Sequence, residues 1–224
     1  MNASLDTNVI IHLYKAGLQN ILFQRFDNVY VYEFIRSMEM VNHASADIIE
    51  QFDKDVVLNN IQLVTNGYLK AIGMYPIFLS HVKDQRSLYQ GGDLGEVYAI
   101  SMAKTIGCIC LVTDDIKEYG PHYTLMRTPD SDVIPFAFFE LFLLDYLENK
   151  CTEDELLKNF ESICKSADIS WNFESKVRGF LKRFYKDPYT NTEKEWMEMF
   201  CERNCIDIKK QFKRLITYMK TSIK

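Results

Sequence analysis

The chain has no Cys-x-x-Cys pair, and its four histidines are scattered. Both absences argue against a zinc site, where closely spaced thiolates and imidazoles close a tetrahedron. No apolar run reaches the roughly 20 residues that span a bilayer. The longest, "VIPFAFFELFLLDYL", is interrupted by Glu140 and Asp145. No signal-peptide pattern opens the sequence. The six cysteines are therefore expected as reduced thiols of a cytoplasmic protein with no membrane contact. An excess of basic residues is also missing. Lys and Arg number 26 against 31 Asp and Glu, for a net charge of −5. A nucleic-acid binder that works by bulk charge is disfavoured; a nucleic-acid enzyme with a local basic surface is not. There is no internal repeat and no low-complexity segment.

What is present suffices for a core. The 224 residues are 47% hydrophobic and 13% aromatic, enough for one large domain or one domain with a helical extension. The charge is uneven. Residues 1–150 carry 11 Lys/Arg against 19 Asp/Glu, and residues 151–224 carry 15 against 12. Such asymmetry suggests two regions with different roles.

The pattern of elements agrees. "ASLD" reads as a short strand, and "TNVIIHLYKAG" as a helix ended by Gly17. "NVYVYEF" has strand composition, and "IRSMEMV" continues into helix. "SADIIEQFDKDV" is a capped helix, "IQLV" a strand, and residues 68–82 a helical stretch. A helix opens at Asp93, runs to about Thr105 and stops at Gly107. "CICLVT" is a near-continuous apolar run, as befits a strand buried on both faces of a parallel sheet. "YTLMR" reads as a further short strand. The alternation predicts a three-layer α/β/α domain with a central parallel sheet over residues 1–130. Residues 131–224 read as an α-helical region packed on it, with helices over 134–149, 152–167, 171–186 and 192–222.

In an open parallel sheet, ligands bind beyond the carboxyl ends of the strands. Asp6 follows the first strand, and Asp114 and Asp115 follow "CICLV". Glu96 sits in the first turn of the helix leading into that strand, the single charge on a face shared with Ala99, Ile100 and Ala103. Two carboxylates about 4 Å apart repel by about 4 kcal/mol at an effective dielectric near 20. Converging acids therefore call for protonation or a cation. Oxygen donors without His or Cys suit one or two Mg²⁺ or Mn²⁺ ions. Such ions serve phosphodiester hydrolysis through a metal-bound water.

"SLDTNVII" and "GEVYAISMAKTIGCICLVTDD" resemble the first and last acidic motifs of the PIN-domain nucleases, over about residues 3–128. The resemblance implies a parallel α/β sheet and an Mg²⁺- or Mn²⁺-dependent ribonuclease acting on RNA. Many such proteins are toxins of toxin–antitoxin pairs, which implies an antitoxin or other protein partner; a homodimer is compatible. By the motifs, Asp6, Glu96 and Asp115 match the family acids, with Asp114 beside them. Thr7 and Asn8 are the usual polar followers, and Glu96 stands where Asp is commoner. The second family acid falls on Glu39, with Glu33 as rival. Thr113 is expected to hydrogen-bond a neighbouring carboxylate.

Each acid taken singly has a plainer reading. Asp6-Thr7-Asn8 can simply cap a helix. Asp93-Leu-Gly-Glu96 fits a capping box, and Asp93 is assigned mainly to that. Asp114-Asp115 can cap a turn. His12 reads as a surface or boundary residue. In the C-terminal third, Lys176, Arg178, Lys182 and Arg183, then Lys209, Lys210, Lys213 and Arg214, interleave with apolar residues. They are either RNA-backbone contacts or the solvated face of a helical bundle. The other function class is a PIN-like binding or regulatory module of weak catalysis that acts through these helices. An aspartyl-phosphate phosphatase is disfavoured, since Asn8 stands where a second Asp is needed.

Overall fold

The computed structural model describes residues 1–88, 94–118, 120–126 and 131–222. The chain divides into two compact units, Met1–Phe138 and Phe139–Lys224.

The first unit is an α/β domain around five strands: β1 (Asn2–Leu5), β2 (Asn28–Tyr32), β3 (Gln62–Val64), β4 (Cys110–Val112) and β5 (Ile134–Phe136). Their order is β3-β2-β1-β4-β5, and every pairing is parallel. Parallel strands need crossovers. These are α1 (Thr7–Lys15) and α2 (Asn20–Arg25) after β1, then α3 (Met40–His43) and α4 (Ala46–Val57) after β2. After β3 come α5 (Asn66–Ala71), α6 (Tyr75–Leu88) and α7 (Leu94–Ile106), and after β4 comes α8 (Pro121–Met126). Side chains of a strand alternate between faces. Tyr32 and Val64 join Leu69, Phe78, Val82, Val97 and Met102 in one buried cluster with α5, α6 and α7. Val29 and Val31, on the opposite face of β2, are also buried. Both faces are thus covered, an arrangement compatible with three α/β/α layers.

The sequence expectations need three corrections. Residues 134–136 form strand β5 rather than the start of a helix. Pro135 has no N–H to give a ladder, yet an edge strand tolerates it, and the segment's apolar run blends into the helix that follows. Residues 123–126 of "YTLMR" are helix rather than strand, Arg127 lying outside the described residues: residues 121–126 form α8, whose first residue is Pro121, a position proline favours. The helix expected over 192–222 is broken. Cys205 adopts φ +53°, so Cys201 and Cys205 do not share a helix, and Asp207 restarts the helix by accepting from Lys210 N at 3.0 Å. Gly107 takes φ +69°, which ends α7 as expected.

The second unit is helical: α9 (Phe138–Leu147), α10 (Glu153–Ser166), α11 (Phe173–Leu181), α12 (Asn191–Arg203) and α13 (Ile208–Ser222), with a π-helical turn at Lys182–Lys186. In α9, Leu141, Phe142, Leu143, Leu144, Tyr146 and Leu147 are all buried, so this helix has no solvent face. Thr152 and Glu155 form a complete capping box at the start of α10. Among the described residues no helix is long and apolar enough to cross a membrane. All six cysteines are free thiols.

Candidate active site at the carboxyl edge of the sheet

Leu5 pairs with Val112, and Val112 with Phe136, so three strands end in step. Chain order reverses between β1 and β4: β1 crosses to β2 on one side, while β4 leads to β5 on the other. This is the switch point at which a parallel sheet opens a crevice. Asp6 leaves β1 there, its backbone N–H donating to Val112 O at 2.9 Å. Thr113, Asp114 and Asp115 leave β4. Because α7 feeds β4 through the short Gly107–Ile109 link, its N-terminal turn lies at the same edge, and Ser4 Oγ donates to Ala99 O at 3.0 Å. That turn carries Glu96.

These acids are buried: Asp6 is 3% exposed, Asp114 6%, Asp115 8% and Glu96 8%. Asp6 is itself the N-cap of α1. Its Oδ1 accepts from Thr7 N at 2.7 Å, and its Oδ2 accepts from the Thr113 hydroxyl at 2.9 Å. The expected bond from Thr113 to a carboxylate is therefore present. Thr113 Oγ1 in turn accepts from Asp115 N at 3.2 Å. One hydroxyl thus ties the two acids together.

Asp114 is held on both oxygens. His12 Nδ1 stands 2.7 Å from Oδ2, and Phe138 N donates to Oδ1 at 2.9 Å. Asp115 meets the Lys117 ammonium at 2.7 Å, although that lysine side chain is 76% exposed. Gly120 presses against the same acid. A Cβ there would lie 2.6 Å from Asp115 Oδ1 and 2.8 Å from its carbonyl oxygen, too close for any side chain.

The remaining expected residues are more dispersed. Glu33 follows β2, and its Oε1 accepts from Asn66 N at 2.9 Å, joining the ends of β2 and β3. Glu39 closes the π-helical turn Ile35–Glu39, partly buried and 3.8 Å from His43 Nε2. Asn8 is exposed. Asp93 lies outside the described residues. The structure gathers Asp6, Glu96, Asp114 and Asp115 at one edge but not around one point. Among the described residues no three His, Cys, Asp or Glu side chains stand at metal-ligand spacing. In kind the donors fit a hard divalent cation, since all are carboxylate oxygens. Thr7 Oγ1, buried beside Asp6, has no hydrogen-bond partner among the described residues. A water of a hydrated ion would satisfy it.

His12, read from the sequence as a surface or boundary residue, is half-buried and joins the site through Asp114. It lies 102 positions from Asp114, and no local pattern signals such a pair.

Of the basic residues read as either RNA contacts or a solvated helical face, Arg183 requires correction. It is 2% exposed. Its Nη1 donates to Glu140 at 2.9 Å, and its Nη2 and Nε donate to Glu193 at 2.5 and 2.9 Å. A buried ion triad, not a nucleic acid, engages it. Arg178 pairs with Glu174, and Arg214 with Glu153. Lys176 sits 4.3 Å above the Trp171 ring. Lys182, Lys209, Lys210 and Lys213 are exposed. No family model, no curated protein and no solved structure matches this chain.

Proposed function

We propose that the first unit is a PIN-like, Mg²⁺- or Mn²⁺-dependent nuclease domain whose substrate is RNA. The observation that carries the reading is the burial of Asp6, Glu96 and Asp115 at the carboxyl edge of a parallel sheet, on either side of its switch point. Burying several carboxylates together is costly without a compensating cation. Asp6, Glu96 and Asp115 would hold the ion. When bound, it supplies an activated water and charge neutralisation at a phosphodiester.

The chain's own groups do the positioning. Thr113 fixes the Asp6 carboxylate and the Asp115 backbone together. Asp114, engaged by His12 and Phe138, is a positioning residue that holds the loop after β4. Lys117 covers Asp115 with an exposed, flexible stem. Displacing it costs little, because solvent-exposed pairs contribute about 0–1 kcal/mol.

A second reading is a PIN-like module of weak catalysis. It is favoured by the acids' failure to gather around one point and by Lys117 lying on Asp115. One experiment separates the two. Single-stranded RNA is incubated with the full chain and Mn²⁺ or Mg²⁺, beside Asp6→Asn and Glu96→Gln variants of unchanged melting behaviour. Metal-dependent cleavage lost in both variants supports the nuclease. Cleavage that persists in either, or an intact wild type that binds Mn²⁺ no better than the variants, sinks it.

A further inference from the structure

In the second unit, the π-helical turn Lys182–Lys186, α12 and the start of α13 line an open groove of about 430 Å³. That volume lies within the roughly 300–1,000 Å³ of small-molecule sites. Phe184 and Met197, 3% and 2% exposed, form its closed floor, half-buried Tyr185 its accessible apolar wall, and Lys186, Lys194 and Glu198 its charged rim.

The wall is pinned from behind. The Arg183 guanidinium lies 4.3 Å from the Phe184 ring centre, and Phe180 lies 4.7 Å from it. Tyr185 leans on Phe212 at 6.3 Å. Tyr185, backed by these buried groups and itself half-buried, is preorganised for a flat partner. Cys201 also lines the groove; burial pushes its thiol pKa up, so it presents a neutral wall rather than a thiolate. The rim bears two ammonium groups against one carboxylate. Lys194 and Glu198 are 4.0 Å apart and both more than half exposed, a loose pair that leaves Lys194 able to turn to an anion. Just past the groove, Tyr189 is 49% exposed, with the Lys182 ammonium 6.0 Å from its ring centre.

A half-buried ring, an exposed ring and interleaved ammonium groups are the chemistry that holds unpaired nucleotides. Bases stack on the rings and phosphates meet the cations. We propose that this groove binds one unpaired nucleotide of an RNA strand. The base lies against the half-buried Tyr185 ring, the phosphate meets Lys186 and Lys194, and the next base stacks on Tyr189. The choice of RNA rests on the nuclease reading above, but the site shares no residue with the acids.

The test is fluorescence anisotropy of the full chain with a short labelled single-stranded oligoribonucleotide, in excess EDTA so that no cleavage occurs. The single strand should bind more tightly than its duplex. Replacing both Lys186 and Lys194 with Ala should weaken binding about tenfold and flatten its salt dependence by about two charges. Tyr185→Leu should weaken it about tenfold while Tyr185→Phe retains it. Glu198→Gln should strengthen it. Asp6→Asn should bind as the wild type does, so a failed nuclease reading and a failed groove give different results. Binding that survives both the lysine pair and Tyr185→Leu overturns the proposal, as does absence of binding at low salt. Displacement by an acidic peptide but not by RNA also overturns it. If Tyr185→Leu unfolds, the lysine pair on the exposed rim decides alone.

Discussion

The Thr113 hydroxyl donates to Asp6 at 2.9 Å and accepts from the Asp115 backbone N–H at 3.2 Å. Thr113 is fully buried. Thr113→Val keeps the shape and deletes the hydroxyl, removing one hydrogen bond from the buried Asp6 carboxylate and one from the Asp115 N–H. The expected loss is about 1–3 kcal/mol, measured by urea unfolding. Thr113→Ser should recover most of it. A Val variant as stable as the wild type would show that the bridge is dispensable.

Asp6 has two roles that substitution can separate. Asn caps helices about as well as Asp, so Asp6→Asn should change stability by about 1 kcal/mol or less while removing the charge. Asp6→Ala should lose about 1–2 kcal/mol through the cap. Cleavage should vanish in both. Equal stability of the two variants would contradict the capping role.

The Arg183 triad makes a sharper stability prediction. Arg183→Met leaves Glu140 and Glu193 buried without their cation, and should cost about 3–5 kcal/mol. Replacing all three residues with apolar side chains of similar volume should restore most of the melting temperature. If Arg183→Met melts with the wild type, the triad is not buried as described.

Asp53 offers a pH signature. Arg36 donates to both its oxygens at 2.6 Å, and those bonds hold its carboxyl below the usual carboxylate range. A depressed folded pKa means that the stabilisation is complete above the unfolded value of about 3.9. It is then lost as pH falls through the folded pKa. Both side chains are partly solvated, so the effect is about 0.5 kcal/mol or less. NMR titration should place the Asp53 carboxyl in its ordinary range in Arg36→Gln.

Thiol reactivity should follow burial. Burial pushes the Cys108 thiol up to about 12, whereas Cys205 is exposed. Ellman's reagent should label Cys205 first and reach Cys108 only on unfolding. Early labelling of Cys108 would contradict the placement of β4's approach.

The parts of the fold legible in the sequence were those with strong local pattern. Within "CICLVT", Cys110, Leu111 and Val112 are apolar and fully buried because β4 is covered on both faces, and Gly107 marks the left-handed stop before it. β5 was hidden because three apolar residues containing a proline run directly into an apolar helix. Arg183 looked solvated because its neighbours alternate like an amphipathic helix. The π-helical turn resets that phase and carries it inward beside Phe180 and Phe184. Glu193 follows Thr190 at capping-box spacing, yet its side chain turns to Arg183 instead. At the site, strand ends located Asp6, Asp114 and Asp115, because parallel topology alone brings such positions to one edge. Which oxygen each acid shares, and with what, depends on partners a hundred residues away and leaves no local trace.

Gly120 leaves less than a carbon atom's width beside Asp115. Gly120→Ala would therefore displace that carboxylate while every formal charge in the crevice stays constant. An acid-to-amide change alters electrostatics at fixed geometry; this change alters geometry at fixed electrostatics. Comparing the two would tell whether the crevice works through the total charge it carries or through where that charge is aimed.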